Sequence, residues 1–308
     1  MNIMVPLAAA RDIERFCQAG AAELYFGFEH PEWNRYFGGF AELNRMSSFG
    51  SQANLPYEEI SETISRIHQA QASAFITLNS PAYSGRQLDF LRFIANELEE
   101  MGADGLIVGS IELCNLLHKS CSLPLTASTM CAIYNTEILA FYRSLGIKRM
   151  ILPRDLRWDD LRSLVASSPD IDFECFILRN GCRFSDANCL SFHSRKFGSV
   201  CGYIKKLPVQ YHSGANFDLK PDTKREIYGN HFLYDRAFHA SACGLCQVDA
   251  FREMGICSLK IVGRADNSDE VIQDIALLKR LIDSEGSCLT QVRDTCLYGL
   301  NCYYPKPQ

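Results

Sequence analysis

A short pattern that recurs four times constrains this chain more than any other feature of its sequence. At each occurrence a helical stretch ends in Gly and a β-rich run follows at once. The four are Gly20-Ala-Ala-Glu-Leu-Tyr-Phe, Gly102-Ala-Asp-Gly-Leu-Ile-Val, Gly146-Ile-Lys-Arg-Met-Ile-Leu and Gly255-Ile-Cys-Ser-Leu-Lys-Ile-Val. Gly suits the left-handed position just past a helix. A helix that turns straight into a strand is the returning half of a crossover between parallel strands. Strands are predicted at 3–7, 22–26, 74–78, 105–108, 125–128, 149–152, 173–178 and 258–262. Helices are predicted between them at 11–19, 56–70, 87–101, 111–119, 136–145, 158–166 and 269–284. Leu88, Leu91, Ile94, Ala95 and Leu98 show the helical period on one face. Eight strands with crossover helices in 308 residues predict an α/β fold, a closed (β/α)8 TIM-like barrel in preference to an open doubly wound sheet. The barrel is predicted over residues 1–285 and a tail over 286–308.

The rhythm breaks once, between the seventh and eighth predicted strands. Residues 182–246 form a Cys-rich insertion without βα alternation. Loops that follow barrel strands line the C-terminal face, where barrel enzymes carry their chemistry. The insertion holds five of the chain's 14 cysteines, spaced Cys182-x6-Cys189-x11-Cys201-x41-Cys243-x2-Cys246. Four clustered thiolates suit Zn2+ or an iron–sulfur cluster. Only Cys243 and Cys246 have the knuckle spacing of a zinc ribbon. The wide, unequal spacing therefore favours a 4Fe–4S cluster reached from separate segments, with a zinc clip or buried structural thiols as alternatives. Cys296 and Cys302, in the tyrosine-rich tail, are predicted to pack there, a fold-back as an extra ligand pair being the other possibility. Cys17, Cys114, Cys121, Cys131, Cys175, Cys257 and Cys288 lie in or beside regular elements and are predicted to pack as small apolar residues.

Composition excludes several classes. Hydrophobic residues make up 47% and charged residues 22%, which rules out a disordered or fibrous chain. A net charge of −5 gives no global electrostatic case for nucleic-acid binding, although a local basic patch stays open. The longest uninterrupted apolar run is five residues, whereas a membrane span needs about 20. Arg11, Asp12, Glu14 and Arg15 make the first segment read as folded structure rather than as a leader. A cytoplasmic location is expected.

Arg154 and Arg264 follow the sixth and eighth predicted strands. Guanidiniums at a barrel mouth clamp carboxylates bidentately, so a small carboxylate substrate is expected there, with a structural ion pair, to Asp155 or Glu174, as the alternative for both arginines. Asn79, Ser128 and Thr129 also end strands, and either orient a ligand or cap the next loop. Tyr25 is expected to pack inside the barrel. His193, His212, His231 and His239 are expected at the surface of the insertion, although a Cys–His pair would make a protease. No G-x-S-x-G elbow, H-E-x-x-H helix, P-loop or G-x-G-x-x-G fingerprint appears in the sequence.

The same residues carry a resemblance. Val5-Pro6-Leu7-Ala8, Gly20-Ala21-Ala22-Glu23-Leu24-Tyr25-Phe26-Gly27, Thr77-Leu78-Asn79, Ala127-Ser128-Thr129 with Asn135, and Leu152-Pro153-Arg154-Asp155-Leu156 come in that order. Glu174-x-Phe176 with Cys182, Cys189 and Cys201 follows, and Ser258-Leu259-Lys260-Ile261-Val262-Gly263-Arg264 closes the series. In this order the pieces resemble the collagenase-like peptidase family U32. The resemblance implies a TIM-like barrel and, in some branches, a 4Fe–4S cluster held by four cysteines. Those branches hydroxylate the ubiquinone ring or RNA bases without oxygen, using prephenate as the oxygen donor. By position Cys182, Cys189 and Cys201 match the first three ligands. The fourth falls on Cys243, with Cys246 a close rival. An iron–sulfur oxidoreductase is thus expected, with a peptidase or a non-catalytic iron–sulfur subunit of a protein complex as alternatives. The chain also departs from the family. Its His-Gly after the seventh strand is Leu178-Arg179 here, the Glu before its closing Gly-Arg is Val262, and the aspartate often ending its fourth strand is Ser110.

Overall fold

The computed structural model describes residues 1–38, 42–46, 52–179, 182, 185–187, 189, 242–284, 288–292 and 302–304. Its strands are β1 (Asn2–Pro6), β2 (Glu23–Glu29), β3 (Asn54–Pro56), β4 (Ser73–Leu78), β5 (Gly105–Val108), β6 (Leu125–Ala127), β7 (Arg149–Ile151), β8 (Asp172–Leu178) and β9 (Ser258–Ile261). All pair in parallel. Eight of them close on themselves, because β1 pairs both with β2, at Met4 and Glu23, and with β9, at Met4 and Lys260. The short β3 pairs only with the far end of β2, at Gly27–Glu29, and extends the wall without joining the ring. The predicted (β/α)8 barrel is the fold.

The helices are α1 (Ile13–Ala19), α2 (Pro31–Phe37), α3 (Ile60–Gln69), α4 (Gly85–Glu100), α5 (Ile111–Ser120), α6 (Thr136–Ser144), α7 (Trp158–Ser167), α8 (Val248–Glu253), α9 (Ser268–Asp283) and α10 (Cys288–Val292). Each crossover helix buries one stripe on the barrel wall. On α4 the stripe is Leu91, Ile94, Ala95 and Leu98, the face its 3.6-residue period predicts. Polar residues start the helices. Ser110 accepts from the Leu113 N–H at 3.3 Å, Asn135 from Ile138 at 2.9 Å and Asn267 from Asp269 at 2.8 Å. The four predicted joints all turn through positive φ, at Gly20, Gly102, Gly146 and Gly255. Among the described residues no helix is long and apolar enough to cross a membrane.

Four elements lie outside the predicted ranges: α8 and α10, and two between β2 and α3. Helix α2 has seven residues and β3 has three, too few to show a period. The signals for α2 are local: Pro31 at its first turn, and His30 accepting from the Glu32 N–H at 3.2 Å.

The insertion leaves and rejoins β8 at one place. Beyond Leu178, Arg179 donates its N–H to Ala242 O at 3.0 Å, while the Gly244 N–H reaches back to Ile177 O at 2.8 Å. Arg179 stands at φ +68°, the left-handed conformation for which a glycine would be natural. Its guanidinium is anchored on α9 and the turn before it, to Asp266 at 3.3 Å, Glu270 at 3.2 Å and Asp274. The side chain that burdens the backbone at this position is thus held by three carboxylates.

Candidate functional site

The barrel interior is charged. On β2 the alternation sends Glu23, Tyr25 and Gly27 inward. Arg149 of β7 grips Glu23 bidentately at 2.8 and 2.6 Å and also reaches Glu174 of β8 at 2.8 Å. Lys260 of β9 holds the other Glu174 oxygen at 2.8 Å. Two carboxylates and two cations balance within the lumen, and Asn2 and Ser258 complete Glu23 at 2.9 and 2.8 Å. Burial alone would raise Glu23, but the Arg149 fork outweighs it and holds the carboxyl below its ordinary value. Desolvation holds Lys260 below its ordinary value against the pull of Glu174. Tyr25 roofs this network, its ring 3.7 Å from Lys260 Nζ and its hydroxyl donating to Ile261 O at 3.3 Å. It is the packed barrel aromatic its sequence position predicts.

Above Tyr25 lies Arg264, 5% exposed, just past β9. Its Nη1 donates to Thr77 Oγ1 at 3.1 Å and its Nη2 to Asn44 Oδ1 at 3.2 Å. Asn44 is fully buried, and its amide donates to Asn54 Oδ1 at 3.0 Å. Gly27 makes the space, since a Cβ there would stand 2.5 Å from Arg264 Nη1, Asn44 Nδ2 and Asn54 Oδ1 alike. Among the described residues these partners are all neutral. Burial accordingly pulls the Arg264 guanidinium down to about 10, which still leaves it charged at neutral pH.

The other buried arginines differ. Arg149 stands above its ordinary value because Glu174 and Glu23 overcome its desolvation. Arg154 does so because Asp186 overcomes its own. Arg154 Nε meets Asp186 at 2.8 Å, and its guanidinium lies 4.4 Å from the centre of the Phe176 ring. Neither partner expected from sequence holds it. Asp155 instead accepts from the Tyr134 hydroxyl at 2.8 Å, and Glu174 belongs to the interior network. Tyr134 also contacts Ser185 at 2.7 Å, so Ser185 and Asp186 tie the start of the insertion to the mouth.

Asn79, Ser128 and Thr129 end β4 and β6 as predicted. Asn79 accepts from the Arg45 N–H at 3.1 Å and donates to Ser128 Oγ at 3.4 Å. Ser128 also caps the turn Thr129–Cys131, accepting from the Met130 N–H at 3.4 Å. Asn79 and Ser128 thus meet across the mouth while serving local structure, and Thr129 is buried beside them. Ser110, where the family often has an aspartate, caps α5.

Two of the thiols meet at the end of β8. Cys243 pairs with Leu178 on one side and with Cys302 on the other. Cys182 lies near enough to influence the charges of both Arg154 and Tyr303. Cys246 sits on the turn Leu245–Gln247. Soft thiol donors arriving from the insertion and from the tail fit the chemistry of an iron–sulfur cluster. Among the described residues no three Cys, His or carboxylate side chains stand together as a metal-holding group. Cys201, Cys296, His193, His212, His231 and His239 lie outside the described residues.

Residues 303 and 304 of the tail are seated firmly. Tyr303 and Tyr304 are 2% and 0% exposed. Gln247 donates to both their carbonyls, at 2.9 and 2.6 Å, and Tyr303 stacks on Phe176 with ring centres 5.8 Å apart. Cys302, partly exposed, is brought back beside Cys243. Asn44, Asn54 and Gly27 are functional candidates that sequence reasoning missed, as are Glu23, Arg149, Glu174 and Lys260. For the last four a signal existed: ionisable residues set inside short, otherwise apolar strands.

Comparison with known proteins places this geometry. The profile of peptidase family U32 matches residues 9–295. The tRNA hydroxylation protein P of Helicobacter pylori is 24% identical over 255 residues, which are 80% of this chain and 59% of that protein. An uncharacterized protease of Methanocaldococcus jannaschii is 24% identical over 264 residues, again 80% of this chain and 59% of the relative. The chain thus spans less than two thirds of either curated protein. The solved structure of a U32 peptidase aligns over 71% of this chain and 83% of its own, with 12% identity and a TM-score of 0.48. With the profile matched along nearly its whole length, the chain belongs to peptidase family U32.

Proposed function

We propose that the chain is an iron–sulfur oxidoreductase that hydroxylates a tRNA base without molecular oxygen, using a small carboxylate such as prephenate as the oxygen donor. The observation that carries this reading is Arg264, a buried guanidinium at the barrel mouth whose partners among the described residues are all neutral. A charge taken from water without a counter-charge is costly, and a carboxylate entering the mouth relieves that cost. Arg154 takes a second carboxylate by exchanging it for Asp186. Asn79, Ser128 and Thr129 orient the ligand from the opposite strands. Relatives named tRNA hydroxylation protein P support the choice of acceptor.

Cys182, Cys189, Cys201 and Cys243 would hold the cluster, with Cys246 the rival for the fourth place. When bound, the cluster supplies a Lewis-acidic, redox-active iron. The chain's own residues bind and orient the donor, and Asn44, Thr77 and Tyr25 keep the guanidinium aimed and shielded from water.

Titration of prephenate into anaerobically prepared protein tests this. Arg264→Lys keeps the charge but loses the planar fork. A lost charged hydrogen bond is worth roughly 1.5–3 kcal/mol, so affinity should fall by about 10- to 150-fold while the iron content stays the same. Unchanged affinity with intact iron would contradict the assignment.

A further inference from the structure

Cys243 and Cys302 are far apart in sequence, yet they face each other in a parallel bridge, with the Tyr303 N–H donating to Cys243 O at 3.1 Å. Neighbouring strands lie about 4.8 Å apart. A disulfide spans Cα separations of about 4.4–6.8 Å. Residues opposed in a parallel bridge also send their side chains to the same face. Both cysteines are partly exposed, unlike the buried Cys114, Cys131, Cys175 and Cys288.

The approach is fixed on both sides. Cys243 is held to β8 by the hydrogen bonds of Ala242 and Gly244. Cys302 is held by the buried tyrosines that follow it. Tyr304 places its hydroxyl between two strands, accepting from the Phe176 N–H at 3.3 Å and donating to Leu152 O at 3.2 Å. Gln247, four residues past Cys243, clamps the carbonyls of Tyr303 and Tyr304. A tail pinned at this many points delivers one thiol to a fixed place.

We propose that Cys243 and Cys302 form a reversible dithiol–disulfide site, closed by a small disulfide oxidant such as oxidised glutathione. In the reaction the two thiols lose two protons and two electrons and join as one S–S bond. The oxidant takes both and leaves as two thiols. The consequence rests on the cluster reading above: Cys243 is a ligand there, so the closed bond withholds it and the protein cannot take up iron until the bond is reduced.

The test uses the full chain, freed of iron with a chelator and then treated with oxidised glutathione. Alkylation and non-reducing peptide mapping should find Cys243 joined to Cys302, and the link should reverse with dithiothreitol. Cys302→Ala should lose that link and leave Cys243 open to alkylation. The proposal is overturned if both thiols stay open to alkylation in the wild type, or if Cys243 pairs instead with Cys246 or Cys182. A second arm measures iron and sulfide uptake after oxidation. Wild type should load only after dithiothreitol, whereas Cys302→Ala should load without it. Equal loading of oxidised wild type and Cys302→Ala would overturn the consequence. If oxidised glutathione links Cys243 to Cys302 but the chain, once fully reduced, takes up no iron and sulfide, the cluster reading fails and the disulfide site stands.

Discussion

At Gly27 one hydrogen atom separates an open cradle from a blocked one. A methyl group there would stand 2.5 Å from the Arg264 guanidinium and from both buried asparagine amides. Gly27→Ala should therefore push the guanidinium out of line. The expected result is a stability loss of about 1–3 kcal/mol from overpacking, with prephenate affinity falling as it does in Arg264→Lys. Denaturant titration and calorimetry on the same protein check both. Unaltered affinity would show that the cradle does not aim Arg264. Arg264 itself was legible in the sequence, because a strand's C-terminal end marks the mouth of a barrel. Its partner Asn44 was not. It comes from the connection between β2 and β3, where no periodicity reports which side chain turns inward. Arg154 was placed correctly at the mouth but given the wrong partners, since Asp186 lies in the insertion, beyond the reach of any pattern.

Among the elements, the seam between β7 and β8 is completed by a side chain from the tail. Leu152 donates its N–H to Glu174 O at 2.9 Å, and the next rung would join the Phe176 N–H to Leu152 O. The Tyr304 hydroxyl occupies that rung instead, so a residue of the tail completes the barrel wall. Tyr304→Phe should leave a buried donor and acceptor unpaired, at about 1–3 kcal/mol. Hydrogen exchange at the Phe176 amide should quicken in step. A variant as stable as wild type, with that amide still protected, would mean that the strands close without the tyrosine. The barrel strands were legible to within a few residues because Gly joints and β-rich runs punctuate them. The role of Tyr304 was not, because a hydrogen bond spanning 128 residues leaves no local trace.

Over the whole molecule, the barrel is centred on ions rather than on stacked Val, Ile and Leu. Glu23, Arg149, Glu174 and Lys260 form one closed network. Lys260→Met should leave Arg149 alone to balance Glu23 and Glu174, one buried negative charge in excess, destabilising by about 3–5 kcal/mol. Adding Glu174→Met should recover much of the loss, since a buried pair replaced by apolar side chains is often neutral. A double variant as unstable as the single one would show that the network does more than satisfy its own charges.

The network supports Arg264 from below through Tyr25, and Tyr303 and Tyr304 pack against β8 at the side. These features support the proposed oxygen transfer from a carboxylate donor to a tRNA base. The direct measurement is an anaerobic reaction of the iron-loaded chain with prephenate and unmodified tRNA, followed by mass spectrometry of the digested nucleosides. The expected result is a nucleoside heavier by one oxygen atom, formed only when prephenate is present and in the absence of molecular oxygen. Protein that carries its iron and sulfide and binds prephenate, yet leaves every nucleoside unchanged, would contradict it.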